Sequence, residues 1–352
     1  MFGERLERAR KAMGLSLRGL GEKVGLSQTT IAKYEKNEIN PDSTTLMKFG
    51  KVLNVKIEYF MRPEKFTLSF SGIDYRKREL TKKNIDLINA QVLNKVEKRF
   101  ELESFFPRKP IPEFSLPNNL IDVINSSEDI EKISNELRNT WSLGLSPIPE
   151  IVDVLESHGI RVFTVDDSME KNFDGLATKV NGNPIIVICS EWSGDRQRFT
   201  LAHELGHLVF DGKTLNCYDG DEEKAANHFA GAFLLPKEAI ISELGEKRNF
   251  IELKEFHLLK HEYGASMQVA MMRAKQVGII SSKQSGIFWA MFKKNDWLKT
   301  EPGDPYPSEK SHIFEQLVFH ALAENFISES KAAELMDKSI HDFYKLRMMD
   351  RK

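Results

Sequence analysis

The chain has little cysteine, no long apolar run and no strong net charge. Its 352 residues include two cysteines, Cys189 and Cys217, so a disulfide framework is not expected to hold the fold together. No apolar stretch approaches the length of a membrane span, and the first residues, MFGERLERARK, lack the apolar core of a signal peptide. We therefore expect a cytoplasmic protein that does not enter a membrane. The length predicts two or three domains.

The net charge of −2 conceals an asymmetry along the chain. Residues 1–110 carry 23 Lys and Arg against 14 Asp and Glu, whereas the remaining residues carry 27 against 38. A basic front part is typical of a protein with a polyanion partner, and the acidic remainder argues against such a partner there. Nucleic-acid binding is therefore expected of the N-terminal part.

Short amphipathic helices with clear boundaries are predicted between residues 4 and 60. Gly14 ends the first helix, Gly25 ends the second, and Ser27 can cap a third that begins at Gln28. Two short helices joined by a tight turn form the helix-turn-helix motif, whose second helix enters the major groove of DNA. The core and turn positions that carry this pattern are Leu17, Leu20, Val24, Gly25, Ser27, Ile31, Tyr34, Glu35, Asn37, Pro41 and Leu46.

This stretch resembles the Xre/Cro repressor-type DNA-binding domain over about residues 3–61. The resemblance implies double-stranded DNA as a partner, with Gln28 and Thr29 reading base edges. One such domain reads half a site, so specific binding implies a homodimer. The residues placed on the DNA side are Arg18, Gln28, Thr29, Thr30, Lys33 and Lys36, of which the basic ones suit phosphates. The alternative is a protein-docking module that keeps the fold without binding DNA.

The middle of the chain predicts connecting segments. Residues 76–99 are rich in Lys and Arg, and their apolar residues recur at near-helical spacing, which predicts a long amphipathic helix with a solvated charged face. Residues 105–117, FFPRKPIPEFSLP, contain four prolines and predict a rigid, extended connector. We therefore predict a domain boundary in this region.

The stretch at 198–236, RFTLAHELGHLVFDGKTLNCYDGDEEKAANHFAGAFLLP, contains an H-E-x-x-H motif formed by His203, Glu204 and His207. On a helix, the two histidines lie four residues apart on one face, where both imidazoles can bind one zinc ion. Glu204 is then a candidate general base. A catalytic zinc takes three protein ligands and keeps one position open for water, so a third ligand is needed.

Four residues compete to be the third ligand: Glu223, Glu222, His228 and Asp211. We favour Glu223, because Asn227 lies four residues later on a second predicted helix and can support one of the histidines from behind. His228 is rotated by about 100° from Asn227, so at most one of the two faces the first helix. Asp211 is interpreted as a capping or loop residue at the end of the first helix. Cys217 is read as an ordinary loop cysteine in preference to a thiolate that masks the zinc.

Together with residues 138–162, RNTWSLGLSPIPEIVDVLESHGIRV, this stretch resembles the ImmA/IrrE family of zinc metallopeptidases over about residues 130–240. The family's fold around its metal resembles that of thermolysin-like gluzincins, and its known members cleave helix-turn-helix repressors. The resemblance implies Zn²⁺ bound by His203, His207 and Glu223, with Glu204 as the catalytic base. One departure is Ala225, where the family often has glutamate. The glutamate four positions before the asparagine is retained.

Strands are predicted at 160–165 and at 183–189, NPIIVIC. Because the second strand directly precedes the metal helix, one edge of a small sheet is expected beside the cleft, where a peptide could add as an extra strand. The segment at 256–280 has the pattern of another helix-turn-helix core. The resemblance to the peptidase family implies that this part helps to form the cleft or binds the partner, so we do not expect it to read DNA. His257, His261 and Tyr263 are considered for stabilising an oxyanion, although surface or core positions explain them more simply.

These patterns predict a mainly α fold of the α+β class in four parts. They are an all-α helix-turn-helix domain at 1–65, a helical and proline-rich linker at 66–125, a zincin-like peptidase domain with a small sheet at 126–264, and a helical, winged-helix-like region at 265–352. The predicted function is a DNA-binding regulator with a zinc metalloendopeptidase that cleaves a repressor or antitoxin, using zinc-activated water and Glu204 as base. The alternative is a non-enzymatic transcriptional regulator that uses the peptidase fold as a sensor or dimerisation body.

Overall fold

The computed structural model describes residues 2–61, 70–71, 82–165 and 173–349. Most of these residues are helical, which confirms the predicted mainly α fold with a small sheet. They divide into two compact units: residues up to 109 together with residues from 317 onward form unit 1, and residues 110–165 and 173–316 form unit 2. None of the described helices combines the length and the apolar character needed to cross a membrane.

Unit 1 begins with five short helices around one core. They are α1 (Phe2–Ala12), α2 (Leu17–Val24), α3 (Gln28–Glu35), α4 (Ser43–Leu53) and α5 (Ile57–Met61). Ser16, Ser27 and Asp42 begin three of them, because each side chain accepts a hydrogen bond from the backbone N–H three residues later. Gly25 adopts a left-handed conformation (φ 77°) that ends α2 and turns the chain toward α3. The helices bury Leu6, Leu20, Ile31, Phe49 and Phe60 between them.

A two-residue strand, β1 (Phe70–Ser71), precedes the long helix α6 (Lys82–Ser104), which packs against α1. Arg5 and Arg8 of α1 both form ion pairs with Glu97 of α6, the first at 3.2 Å. The charged face of α6 was predicted to be solvated, but Glu97 on this helix is half-buried against α1, where the two arginines neutralise its charge. The start of the predicted helix, residues 76–81, lies outside the described residues.

Unit 2 opens with β2 (Val123–Ile124), α7 (Ser127–Thr140) and α8 (Ile151–Ser157), followed by β3 (Arg161–Val165), β4 (Gly175–Val180) and β5 (Asn183–Cys189). β5 lies between β3 and β4, parallel to the first and antiparallel to the second. Its Val187 is in register with Phe163 on one side and Leu176 on the other. The strand NPIIVIC is therefore central and not the edge to which a peptide could add, since both of its sides are already hydrogen-bonded.

The metal motif lies on α9 (Gly194–Phe210), which directly follows β5 and packs on β4, β5 and α10 (Glu222–Leu234). The connection between α9 and α10 contains β6 (Thr214–Leu215), which pairs in parallel with β2, and a 3₁₀ turn (Cys217–Gly220). One core of unit 2 fills the space between α7, α8, the sheet, α9 and α10. This core gives both helices of the candidate site a rigid base.

Four further helices enclose a second core in unit 2. They are α11 (Lys237–Leu244), α12 (Leu253–Tyr263), α13 (Met267–Gln276) and α14 (Ser282–Lys294). α12 and α13 follow one another with a tight turn at Gly264, as the second helix-turn-helix pattern predicted. However, α13 is buried or half-buried over almost its whole length. It therefore packs inside unit 2 and does not present a face that could read DNA.

The chain then returns to unit 1. α15 (Ile313–Ala323) passes from unit 2 into unit 1, and α16 (Glu329–Leu335) and α17 (Ile340–Arg347) follow. Lys331 of α16 forms an ion pair with Glu101 of α6 at 2.9 Å, and Phe106 packs edge-on against Phe326 with ring centres 5.5 Å apart. Unit 1 is therefore assembled from both terminal parts of the chain.

Candidate metal centre and DNA-binding helix

Three side chains from α9 and α10 converge on one point. His203 and His207 lie one turn apart on α9, and Glu223 lies in the first turn of α10. The two Nε2 atoms are 3.0 Å apart, and the carboxylate oxygens of Glu223 lie 3.3 Å from His203 Nε2 and 3.4 Å from His207 Nε2. Among the described residues, these three form the one His, Cys, Asp or Glu group close enough to share a metal ion. Ligands about 2.0–2.2 Å from a tetrahedral zinc lie about 3.3 Å apart, so the spacing fits zinc.

The outer nitrogen of each histidine already has a partner. His203 Nδ1 lies 3.0 Å from Asn227 Oδ1, and His207 Nδ1 lies 2.8 Å from Glu222 Oε1. Because both partners are oxygen acceptors, they favour the tautomer that carries its proton on Nδ1 and presents a lone pair on Nε2 to a metal ion. Two lone pairs at 3.0 Å, beside the Glu223 carboxylate, repel one another unless a cation lies among them. The donor set and its orientation therefore fit a bound zinc ion.

The four candidates for the third ligand occupy different places. Glu223 faces both histidines, whereas Glu222 supports His207 from behind. Asp211 follows the end of α9 and pairs with Lys179 at 2.6 Å. His228 turns to the other side of α10, away from the metal-facing residues. The sequence did not predict the hydrogen bond between Glu222 and His207 Nδ1. The adjacent glutamates Glu222 and Glu223 were the feature from which it could have been suspected.

Gly206 allows α10 to approach α9 closely. A Cβ atom at this position would lie 3.1 Å from Cδ1 of Phe229 and 3.3 Å from Cα of Ala226. The glycine of the sequence HELGH therefore sets the helix separation that brings the first turn of α10 over the histidines. Ala225, where the resembled family often has glutamate, is completely buried in the same core.

Glu204 occupies the position beside His203 on α9 and is 2% exposed. Successive residues of a helix are rotated by about 100°, so Glu204 lies next to the ligand face without being on it. Its burial keeps a proton that it accepts away from bulk water. This placement suits a general base that works next to a metal-binding face.

The opposite face of α10 is fixed by a buried polar network. His228 Nδ1 lies 2.7 Å from the hydroxyl of Tyr218, and its Nε2 lies 2.7 Å from Oε1 of Glu131 on α7. Arg273 of α13 donates to both oxygens of Glu131, at 2.7 Å and 3.1 Å. Because His228 follows Asn227 directly, this network fixes the rotation of α10 that turns Asn227 toward the metal ligands.

Glu131 makes the network sensitive to acid. Burial opposes ionisation of Glu131, but hydrogen bonds from His228 and Arg273 outweigh it and lower the pKa from 4.5 to about 2. The folded-state pKa is below the unfolded one, so this stabilisation is complete above about pH 4.5 and is lost as the pH falls toward 2. We expect Glu131→Gln to lower the free energy of unfolding by about 3 kcal/mol at pH 7, and by much less at pH 3.

Urea unfolding of wild type and Glu131→Gln at pH 7 and pH 3 measures this difference. Glu136→Gln, on the same helix, is the matched control and should change the unfolding free energy little at either pH. An unfolding free-energy difference between Glu131→Gln and wild type that is the same at both pH values would contradict the prediction.

The remaining residues considered at the sequence level lie in other surroundings. Cys217 is buried in the first core of unit 2, and burial raises the pKa of its thiol, which keeps it neutral. His257 and His261 contact each other on α12, with ring centres 4.7 Å apart. Tyr263 is buried in the second core. These positions agree with the simpler interpretation, in which these residues are ordinary surface or core residues.

α3 presents the polar side chains expected of a DNA-reading helix. Gln28, Thr29, Lys33 and Lys36 are exposed. The hydroxyl of Thr30 lies 2.8 Å from Ser27 Oγ within the helix cap, so it is less available to a base. Arg18 is 79% exposed but pairs with Glu22 at 2.8 Å, and it would have to leave this partner to contact a phosphate.

The end of α3 is anchored to α1. Glu35 accepts two hydrogen bonds from Arg10, at 2.6 Å from Nε and 2.8 Å from Nη2. This bidentate pair is largely buried, so it fixes the direction in which α3 leaves the core.

Comparison with known proteins identifies two separate domains in the chain. Residues 6–60 match the helix-turn-helix family model, and residues 155–275 match a peptidase family model described as the IrrE N-terminal-like domain. The prophage-derived, uncharacterized HTH-type transcriptional regulator YonR of Bacillus subtilis is 32% identical over 62 residues, which are 18% of this chain and 57% of YonR. The HTH-type transcriptional regulator ImmR of the same bacterium is 28% identical over 92 residues, 26% of this chain and 61% of ImmR.

The HTH-type transcriptional regulator PuuR of Escherichia coli is 38% identical over 64 residues, which are 18% of this chain and 35% of PuuR. This chain thus spans about half the length of these relatives, and the matched part is about a quarter of this chain or less. The two family matches confirm the predicted resemblances. The chain carries a helix-turn-helix domain followed by an IrrE N-terminal-like domain.

Proposed function

We propose that this protein is a DNA-binding regulator that carries a zinc-dependent metalloendopeptidase. The observation that carries the proposal is the convergence of two Nε2 lone pairs and the Glu223 carboxylate, with both Nδ1 atoms held from behind. Structural zinc sites are usually closed by four protein ligands. The described residues supply three ligands here, which leaves a coordination position for water or substrate.

Each residue of the site then has a defined task. When bound, zinc would polarise the peptide carbonyl and make water a better nucleophile near neutral pH. Glu204 would accept a proton from the attacking water on its carboxylate and later deliver it to the leaving amine. Asn227 and Glu222 hold the imidazoles in the tautomer that exposes Nε2, which prepares them for the metal.

The substrate class favoured by this combination is a regulatory protein, either a helix-turn-helix repressor or an antitoxin. A peptidase joined to a DNA-binding domain is concentrated near the operators where such proteins bind. When the peptidase and its substrate bind the same stretch of DNA, the local concentration of the substrate near the peptidase is high. The peptidase then does not need to bind the substrate tightly. A homodimer would let α3 of each copy read one half-site.

The test is proteolysis of purified helix-turn-helix repressors by the full-length protein, analysed by mass spectrometry of the fragments. We expect cleavage at one or a few sites by the zinc-loaded protein, loss of cleavage after chelation, and recovery when zinc is restored. If the zinc-loaded protein cuts neither these repressors nor an unfolded reference protein, the peptidase proposal is wrong.

A non-enzymatic zinc-responsive regulator is the second candidate. It is favoured by the names of the relatives, which are all transcriptional regulators. In this case zinc would change the affinity for DNA, and Glu204→Gln would leave that response unchanged. Measuring operator binding with and without zinc, in wild type and in this variant, separates the two candidates.

DNA binding by α3 leads to a prediction that distinguishes phosphate contacts from base reading. We expect Lys33→Ala to weaken binding to all sequences and to lower the slope of log affinity against log salt by about one. Gln28→Ala should instead cost about 1–3 kcal/mol on the preferred sequence and relax base preference at one position. Fluorescence anisotropy over a salt series measures both effects.

Lys51→Ala is the matched control, because Lys51 is exposed at the end of α4. It should leave the salt slope close to that of wild type. Binding that is unchanged by both Lys33→Ala and Gln28→Ala would favour the protein-docking alternative.

A further inference from the structure

A short segment near the end of unit 2 crosses the start of the metal helix. Residues 306–312, YPSEKSH, form irregular chain between α14 and α15, and we call this segment the strap. The strap lies outside residues 155–275, which match the peptidase model, so that match does not account for it. Its contacts described below all lie within unit 2.

The strap supplies a backbone partner for the beginning of α9. Within the described part of the chain, the N-cap residue Ser193 makes no side-chain hydrogen bond to the first turn of α9. The N–H of Gly194 instead donates to the carbonyl of Tyr306 at 3.0 Å. A Cβ atom on Gly194 would lie 1.8 Å from the carbonyl oxygen of Pro307, so glycine is required for this close approach. The strap therefore replaces a conventional helix cap.

A buried ion pair joins the middle of the strap to α9. The side chains of Arg198 and Glu309 are 0% and 2% exposed, and Nη1 lies 2.5 Å from Oε1. The N–H of Glu309 also donates to Oε1 of Gln197 at 2.9 Å. Burial raises the pKa of Glu309 in spite of the neighbouring guanidinium, so an unpaired charge here is costly.

The strap also holds α8. Glu309 accepts a hydrogen bond from the N–H of Val152 at 3.3 Å, in the first turn of α8. Ser311 donates to Glu156 at 2.6 Å, and the N–H of His312 donates to Asp153 at 3.1 Å. Glu309 is thus a shared anchor for the beginnings of α8 and α9.

The anchored turn is close to the metal ligands along the same helix. Arg198 precedes His203 by five residues, or about 7.5 Å along the helix axis. A continuous α-helix transmits a displacement of its first turn to residues this near. We propose that Glu309 is a positioning residue for the metal centre, which fixes the imidazoles of α9 relative to Glu223 of α10. The inference rests on the proposed function only in treating His203, His207 and Glu223 as the zinc ligands.

The test compares the zinc affinity of Glu309→Gln with that of the wild-type chain. Glutamine keeps the size of the side chain, but its NH2 group cannot accept one of the two hydrogen bonds that Glu309 receives from Arg198 and Val152. It also leaves the charge of Arg198 buried without a counter-charge. We expect zinc affinity to fall about tenfold, as measured by competition with a chromophoric chelator at a temperature where circular dichroism shows both proteins folded. Glu315→Gln, an exposed position on α15, is the matched control and should bind zinc like wild type.

Two further measurements distinguish positioning from general stability. The double variant Arg198→Gln with Glu309→Gln removes both buried charges but still lacks the anchor, so its zinc affinity should stay below that of wild type. Full recovery of zinc affinity in the double variant would show that the unpaired charge, and not the lost anchor, weakened binding. In the metal-free proteins, amide hydrogen exchange in the first turn of α9 should be faster in Glu309→Gln than in wild type or Glu315→Gln. If Glu309→Gln fails to fold, Gly194→Ala displaces the strap at its backbone while both Arg198 and Glu309 are kept, and it should also weaken zinc binding.

Unchanged zinc affinity in folded Glu309→Gln, accompanied only by a lower melting temperature, would overturn the inference. So would unchanged exchange in the first turn of α9. If the wild-type protein binds no zinc, the proposed function is wrong, and the exchange measurement still decides whether the strap holds α9. If zinc binds and Glu309→Gln weakens it but no peptide is cut, the inference stands and the peptidase proposal fails.

Discussion

Glu204→Gln is expected to lower kcat/KM for peptide hydrolysis about a thousandfold while zinc remains bound. Glutamine has nearly the same volume, so it fits a position that is 2% exposed. Its amide cannot accept a proton from water near neutral pH, which removes the general base. The ligands His203, His207 and Glu223 are unchanged, so the affinity for zinc should change little. Initial rates and metal content by elemental analysis are measured on the same preparation.

The matched control for this experiment is Glu191→Gln, an exposed glutamate just before α9. This variant should hydrolyse peptides at the wild-type rate. A Glu204→Gln protein that keeps both its zinc and its wild-type rate would show that another group is the base. A protein that loses zinc would instead place Glu204 among the groups that hold the metal.

Glu223→Gln is expected to weaken zinc binding at least about a hundredfold and to abolish hydrolysis at limiting zinc. This substitution removes the only carboxylate of the three-residue group and leaves two neutral imidazoles. Glu222→Gln should have a smaller effect, about tenfold, because the amide oxygen can still accept the hydrogen bond from His207 Nδ1. Competition with a chelator measures the zinc affinity of both variants. It thereby compares the ligand Glu223 with Glu222, which supports a ligand.

The two variants also test the choice of the third ligand. An equal loss of zinc affinity would mean that both carboxylates contact the metal. A larger loss in Glu222→Gln than in Glu223→Gln would reverse their assigned tasks. Asp211→Asn should be close to wild type, because Asp211 forms an exposed ion pair with Lys179.

The local part of the candidate site was predictable from sequence because it depends on helical spacing. The four-residue separation of His203 and His207 is sufficient to place both on one face of α9. The same argument reduced the third ligand to four residues, but the choice among them depends on how two helices cross. That crossing is set by the contact of Gly206 with Ala226, which has no signature in the periodicity of either helix.

The supporting contacts were not predictable, because each joins single polar residues that are far apart in sequence. Glu131 and Arg273 are separated by 142 positions, and Arg198 and Glu309 by 111. Neither pair belongs to a repeating pattern. By contrast, the central position of β5 could have been inferred, since a continuous run such as NPIIVIC is typical of a strand buried on both faces.

The discontinuity of unit 1 has a consequence for how the chain can be divided. In the described residues, the polypeptide passes from unit 1 to unit 2 between residues 109 and 110 and returns between 316 and 317. Unit 2 is therefore an insert in the chain of unit 1, and removing the last helices would expose part of α6, where Lys331 now pairs with Glu101. A truncation after residue 316 would spare every described residue of unit 2 but would still remove part of unit 1, so a single cut cannot separate the two units.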